Sequence, residues 1–373
     1  MGRKHKELRK AQTAAALPGD IFFNSYKPFI AILAAGLLLY FKTFQFSFSY
    51  LDDNALILDK FDFISSASNF LNFFREDVFH THVGGSYYRP ALTVSFMLDA
   101  LWGGKNPGAY HFTNVLLHLS ACCLLFRTLV KLNYNRAASF FYSLLFTVHP
   151  VLTQAVAWIP GRNDTLLAVF SLLSFILFLC FLESRKWSRL AAHLLFLLLA
   201  LFTKENAVIL CVLCLFFAVY MSKERGPASG FKTPLFAGWA VVVAGWFLAR
   251  SAVLKAAVGN SDFDIIKSLT ENFPAVVPYL GKIFFPVNLG IMPVLQGLPM
   301  RYGVCAGLLT AGLVYLSTAK RRRYVAFGLL WFLLFLLPSF IRSASAVPDF
   351  SEHRVYLPLI GFMFLGTGIG DGS

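Results

Sequence analysis

Long apolar runs separated by short polar stretches recur almost from end to end of this 373-residue chain. A helix needs about 20 mostly apolar residues to cross the hydrocarbon of a bilayer. Runs near that length fall at 28–48, 109–130, 137–157, 164–182, 190–203, 205–221, 233–254, 302–318, 324–341 and 354–370. They predict an all-α, polytopic helical membrane protein with about ten transmembrane helices. Two apolar stretches fit less well. The stretch 90–102 is short, and 273–292 carries Pro274, Pro278, Pro286 and Lys282. Both are expected to be interfacial or re-entrant, because irregular backbone at membrane depth survives only against protein or water.

Composition supports the same class. Hydrophobic residues make up 57% of the chain and charged residues 14%, whereas a soluble domain carries about a quarter charged residues. The 41 phenylalanines suit lipid-facing and interfacial positions. A net charge of +14 raises the question of nucleic acid, but the basic residues sit in short clusters between apolar runs. That is the distribution of the positive-inside rule, and no nucleic-acid partner is expected. Placing these clusters on the cytoplasmic side puts five segments there: Arg3 to Lys10, Lys131 with Arg136, Arg185 to Arg189, Lys223 to Lys232, and Lys320 to Arg323. They alternate consistently only if 90–102 does not cross and 273–292 stays on the outer side. The organisation is then a cytoplasmic basic tail, 1–27, and a transmembrane domain, 28–373. Its outer loop 49–108 carries juxtamembrane helices, and its outer loop 255–300 is partly re-entrant.

Smaller signals narrow the reading. No small-residue cleavage site follows the first run, which reads as an uncleaved span. MGRKHK lacks the Ser or Thr of a myristoylation signal. Cys122, Cys123, Cys180, Cys211, Cys214 and Cys305 all lie in apolar runs. With no His or Asp beside Cys211 and Cys214, metal or redox chemistry is not indicated there.

The charge rule gathers the unusual polar residues on one face. Asp52 and Asp53 follow the first span; adjacent carboxylates beside lipid are either a hydrated turn or a functional base. His80, His82, Tyr87, Tyr88 and Arg89 come next. The two histidines suit two ligands on one side of an extended segment, but no third ligand is evident. Arg89 suits a phosphate or snorkels to headgroups. His111, Asn114 and His118 form a polar stripe on an apolar helix, facing the bundle for chemistry or for packing. HPVLTQAVAWIPGRNDTLLAVF joins two spans yet holds His149, Gln154, Trp158, Arg162, Asn163 and Asp164 between Pro150 and Pro160; Arg162 and Asp164 are expected to pair. Lys204 and Glu205 occupy a tight outer turn, and Glu352, His353 and Arg354 precede the last run.

Together these strings resemble the GT-C glycosyltransferases, and most closely the protein O-mannosyltransferases of the transmembrane and tetratricopeptide-repeat type and their bacterial relatives. The matching pieces are SYLDDNALI, YYRPALTVSFMLDALWGGKNPGAYHFTNVLLHL, HPVLTQAVAWIPGRNDTLLAVF, TKENAVIL, YLGKIFFPVNLGIMPV and SEHRVYLPLIGF, in the family's order over about residues 49–362. The resemblance implies a GT-C-like bundle that moves a sugar, with inversion, from a polyprenyl-phosphate donor of the dolichyl or undecaprenyl type to a protein or glycan hydroxyl. It implies Asp52 or Asp53 as the catalytic carboxylate. Arg89, Lys204, Arg354 and Arg162 are the candidate cations for the donor phosphate. His111, His149, Gln154, Asp164, Glu205, Glu352 and His353 are expected to line the site. Gln154 stands where the family's HPVHTEAVA-like stretch usually has Glu, which puts either acceptor choice or the strength of activity in doubt. No cofactor is required on this reading; a divalent metal is not indicated. No 34-residue repeat is visible. With the ending GTGIGDGS, this leads to the expectation of a short or truncated relative. That brevity favours a bacterial inner membrane over an endoplasmic reticulum, with the site periplasmic or lumenal. A flippase would need charges near mid-membrane and repeated halves; an inactive scaffold would not need the two aspartates.

Overall fold

The computed structural model describes residues 18–50, 52–80, 87–221, 232–254, 265–290, 293, 298–341 and 351–366. Among the described residues the secondary structure is helical, with no strand. Helices α1 (Pro18–Phe23) and α2 (Lys27–Tyr40) lead into a 3-10 turn, Phe41–Gln45. Short turns and α3 (Phe61–Ile64) precede α4 (Pro90–Gly103), α5 (Pro107–Lys131) and α6 (Arg136–Val148). The short α7 (Thr153–Ala157) is followed by α8 (Arg162–Ser184), α9 (Trp187–Thr203), α10 (Ile209–Phe216) and α11 (Lys232–Val253). The remainder is α12 (Ile265–Asn272), α13 (Val276–Phe284), α14 (Met300–Tyr315), α15 (Ala319–Leu336) and α16 (Tyr356–Met363).

Local sequence explains the boundaries. Proline in the first turn of α2, α4 and α5 takes up a position whose N–H has no helical partner. Asn106 caps α5 by accepting from Gly108 N at 3.0 Å, and Asn135 caps α6 by accepting from Ala138 N at 2.7 Å. Pro150 removes the bond that would continue α6, and the chain bends by 50° there.

Among the described residues, five helices are long and apolar enough to cross a membrane: Lys27–Gln45, Pro107–Lys131, Ile159–Ser184, Thr233–Val253 and Arg321–Phe340. The bent pair Arg136–Val148 and Pro150–Ala157 makes a sixth if it is one span. Trp187–Thr203 and Glu205–Met221 are shorter apolar helices. The chain is a multi-pass, all-α membrane protein. The basic tail is expected over residues 1–27; 1–17 of it lie outside the described residues, as does most of 342–353.

α8 is the central post, packed on α9, α5 and α16. Phe175, Phe178, Phe217, Phe327 and Trp331 interlock around it. In lipid, where burial of apolar surface gives helices little reason to associate, close packing does that work. Gly328 of α15 and Gly361 of α16 show how close: a Cβ at either would meet the other's carbonyl oxygen at 2.4 Å.

The helices have a polar end and a basic end. α5 and α8 both start at the first, with His111 and Arg162, and reach the second, where Lys131 bonds Glu183. α6 and α9 run back. At the basic end Arg136 Nε donates to Phe23 O, and at the polar end Lys204 meets Asp164.

Candidate active site

At the polar end the segment after α2, the first turn of α5, the α6–α7 bend and the turn 351–355 enclose a cavity of about 410 Å³. Asp53, His111, Gln154, Trp158 and Glu352 line it, and Leu289 and Gly290 form one side. Tyr50, with φ of 55°, turns the chain sharply so that Ser49 comes back over Asp53. Ser49 N and Oγ then donate to Asp53 Oδ2 at 2.5 and 2.6 Å. Asp53 is 1% exposed, and its Oδ1 meets no hydrogen-bond donor among the described residues. Asp52 is exposed and does not line the cavity; partial burial and the charge of Asp53 push its carboxyl above the usual range. The adjacent carboxylates therefore occupy different settings, one in the cavity and one outside it.

Glu352 lies across the cavity. Its Oε1 pairs with Lys282 Nζ at 3.0 Å and accepts from Gly290 N at 3.2 Å. Burial raises its carboxyl above the ordinary value, opposed by Lys282. Gln154 Oε1 accepts from His353 N at 3.1 Å, tying α7 to the 351–355 turn. The Trp158 ring lies 5.5 Å from the His353 ring. His111 is buried beside the Phe46 ring, with backbone of Ser47 and Ala157 near it.

Behind the Gln154–Trp158 wall is a group of ion pairs. Arg89 Nη2 meets Glu205 Oε1 at 3.0 Å. Lys204 Nζ meets Asp164 Oδ1 at 2.7 Å and Asn163 Oδ1 at 3.1 Å. Burial, reinforced by the charges of Lys204 and Arg89 and opposed by Asp164, pushes the His353 imidazole down to about 4. Arg354 Nη1 donates to Ser339 O at 3.5 Å.

Two expected roles look different in the folded chain. Arg162 does not pair with Asp164. It is 0% exposed and pairs with Asp99 Oδ2 at 2.5 Å. Its Nε donates to Asn114 Oδ1, Nη1 to Ser95 O and Nη2 to Tyr110 O. All three nitrogens are thus engaged inside the bundle. His149 does not line the cavity. Its Nδ1 accepts from Val151 N at 3.3 Å and its Nε2 donates to Ile283 O at 3.0 Å, so it closes the α6–α7 bend onto α13. His118 likewise faces the interior, bonded to Thr147 O and the Tyr356 hydroxyl. His80 bonds Glu76 at 3.0 Å, and His82 lies outside the described residues. Sequence reasoning passed over Asp99, Ser49 and Lys282 as members of the site region. Asp99 and Lys282 had one available signal, a lone charge within an apolar stretch; Ser49 had none.

The chain is similar to protein O-mannosyl-transferase Tmtc1 of Drosophila melanogaster, 35% identical over 185 residues, or 48% of this chain and 21% of the relative. It is 38% identical over 159 residues to protein O-mannosyl-transferase tmtc2 of Xenopus laevis, covering 42% of this chain and 19% of that one. With protein O-mannosyl-transferase TMTC3 of Homo sapiens the identity is 28% over 230 residues, 59% of this chain and 23% of the relative. The chain therefore spans about a fifth of the length of the curated relatives it matches. These are proteins of the kind that the six motifs resemble. All three are from animals, so a bacterial inner membrane finds no support. No protein-family profile matches the chain. No solved structure matches it.

Proposed function

We propose that this chain carries the sugar-transfer site of a membrane glycosyltransferase, with Asp53 as its base. The observation that carries this reading is the setting of Asp53: a buried carboxylate on a cavity wall, one oxygen held by two donors of Ser49 and the other meeting none among the described residues. Such a group is oriented and has a lone pair to offer. The acceptor hydroxyl oxygen attacks the anomeric carbon, the bond from that carbon to the phosphate oxygen breaks, and the hydroxyl proton passes to Asp53 Oδ1. A single displacement inverts the anomeric centre. A positioned base is worth about 10²–10⁴-fold.

Among the described residues, none that lines the cavity is Lys or Arg. The cavity therefore suits a neutral sugar, whose hydroxyls donate to carboxylate and amide oxygens and whose apolar face lies on Trp158. The phosphate of a polyprenyl-phosphate donor is held behind it, where Arg89 and Lys204 exchange a carboxylate partner for a phosphate oxygen, with Arg354 alongside. The names of the relatives support mannose as the sugar and a protein hydroxyl as the acceptor. Their animal origin supports a eukaryotic internal membrane, with the polar end on the lumenal side.

The test is transfer from a labelled polyprenyl-phosphate mannose to a peptide in proteoliposomes. Asp53→Asn is expected to lose at least about 10²-fold in rate, while Asp52→Asn retains most activity. Undiminished transfer by Asp53→Asn overturns the assignment.

A further inference from the structure

Lys282 is buried behind the cavity wall rather than on it. An ammonium group has three N–H donors, and Nζ has three oxygens around it. Glu352 Oε1 lies at 3.0 Å, Val287 O at 2.9 Å and Asn288 O at 2.5 Å. Glu352 Oε1 in turn accepts from Gly290 N. These bonds converge on the stretch 285–290, which belongs to no helix and supplies Leu289 and Gly290 to the cavity. Asn288 sits in the left-handed region, with φ of 53°, which asparagine enters more readily than most side chains and which turns the strap there.

The helix that carries Lys282 is itself clamped. A Cβ on Gly281 would meet Gly303 N at 2.8 Å, so α13 and α14 touch backbone to backbone. Tyr279 OH donates to Ser351 O at 3.2 Å, and His149 reaches Ile283 O. α13 is thereby fixed against the bend and the 351–355 turn, and it aims Lys282 at the strap from a rigid base.

The geometry points to Lys282 as a positioning residue: through Glu352 and two backbone carbonyls it holds the strap 285–290 against the cavity and fixes the width of the pocket opposite Asp53. Lys282 touches no substrate. The kinetic part of this inference rests on reading the cavity as the transfer site; the structural part does not.

Removing Lys282 alone strands a buried carboxylate and destabilises the fold for reasons unrelated to the strap. The test therefore uses Lys282→Met/Glu352→Gln in the full chain in proteoliposomes. Hydrogen exchange of the 285–290 amides is expected to rise about ten-fold while α8 amides stay as they were. KM for the acceptor is expected to rise about ten-fold with kcat changed far less. Gly290→Pro is the second variant. It deletes the N–H given to Glu352 while both charges remain, and among the described residues a Cβ there meets nothing closer than Pro293 at 3.7 Å. It is expected to move both readouts in the same direction. If the double variant does not fold, this second variant decides. Unchanged strap exchange in a folded variant overturns the inference. Wild-type protein that transfers no sugar sinks the transferase reading, and the exchange result still decides the strap.

Discussion

His353 makes the clearest case for a single residue whose chemistry is set by its neighbours. Burial and the nearby cations hold it near 4, well under the ordinary histidine value, so at neutral pH it is an uncharged ring beside Trp158. Its folded pKa is depressed, so between about 6.5 and 4 the unfolded chain binds the proton more readily. Stability from this residue is present above about pH 6.5 and is lost as pH falls towards 4. Glu352 works with the opposite sign. Its folded pKa is raised, so the folded chain binds the proton more readily and stability falls as pH rises above the ordinary carboxyl value. The two partly cancel just above pH 4.5. His353→Gln isolates the effect of the histidine. Relative to wild type, it is expected to remove about 2–3 kcal/mol of acid-side loss between pH 7 and 4, seen as a flatter dependence of melting temperature on pH in detergent. Equal slopes for the two proteins would refute it. Which residues are polar was legible in the sequence; which of Asp52 and Asp53 faces the cavity was not. That choice depends on the turn at Tyr50 and on Ser49, four residues away, and neither leaves a periodic signal.

At the level of elements, the long apolar runs of α5, α8 and α11 were legible from their length and composition alone. Partner choice was not. Arg162 and Asp164 are two residues apart, and sequence proximity suggests a pair. In a helix, residues two apart do not face each other. Arg162 therefore turns to Asp99 on α4 and to Asn114 and Tyr110 O on α5, while Asp164 turns to Lys204. Three helices are joined by one guanidinium, and the arrangement makes a prediction. Arg162→Met leaves Asp99 buried without its cation and is expected to cost about 3–5 kcal/mol. Arg162→Met/Asp99→Leu removes both charges and is expected to recover most of that loss. If Arg162 serves structure rather than the donor phosphate, the double variant also keeps its KM for the polyprenyl-phosphate sugar. Thermal unfolding in detergent and donor titration in proteoliposomes check the two parts. A folded double variant with a greatly raised donor KM would return Arg162 to the phosphate site.

For the whole molecule, the arrangement follows from chemistry at two faces. Clusters of Lys and Arg mark one end of the helices, and the cavity with its ion pairs marks the other. The charge rule anticipated this separation because it needs only the order of basic clusters along the chain, not their contacts. It could not anticipate the cavity, which forms from loops whose positions are set by α13, the α6–α7 bend and the 351–355 turn together. The separation carries a last prediction. α5 has 25 residues, a length of about 38 Å at 1.5 Å per residue, against about 30 Å of hydrocarbon. Lys105, just before α5, and Lys186, just after α8, are both exposed, at opposite ends of these parallel helices. In a chain whose native cysteines are replaced, a single cysteine at position 105 or at position 186 is expected to react with a membrane-impermeant maleimide from opposite sides of sealed microsomes. Position 105 reacts only after the lumen is opened, and position 186 reacts from outside. If both react from outside without opening the vesicles, α5 and α8 do not cross together, and the cavity cannot face the lumen. Reaction in the reverse order would keep both crossings but put the cavity on the cytoplasmic side, where the charge rule forbids it.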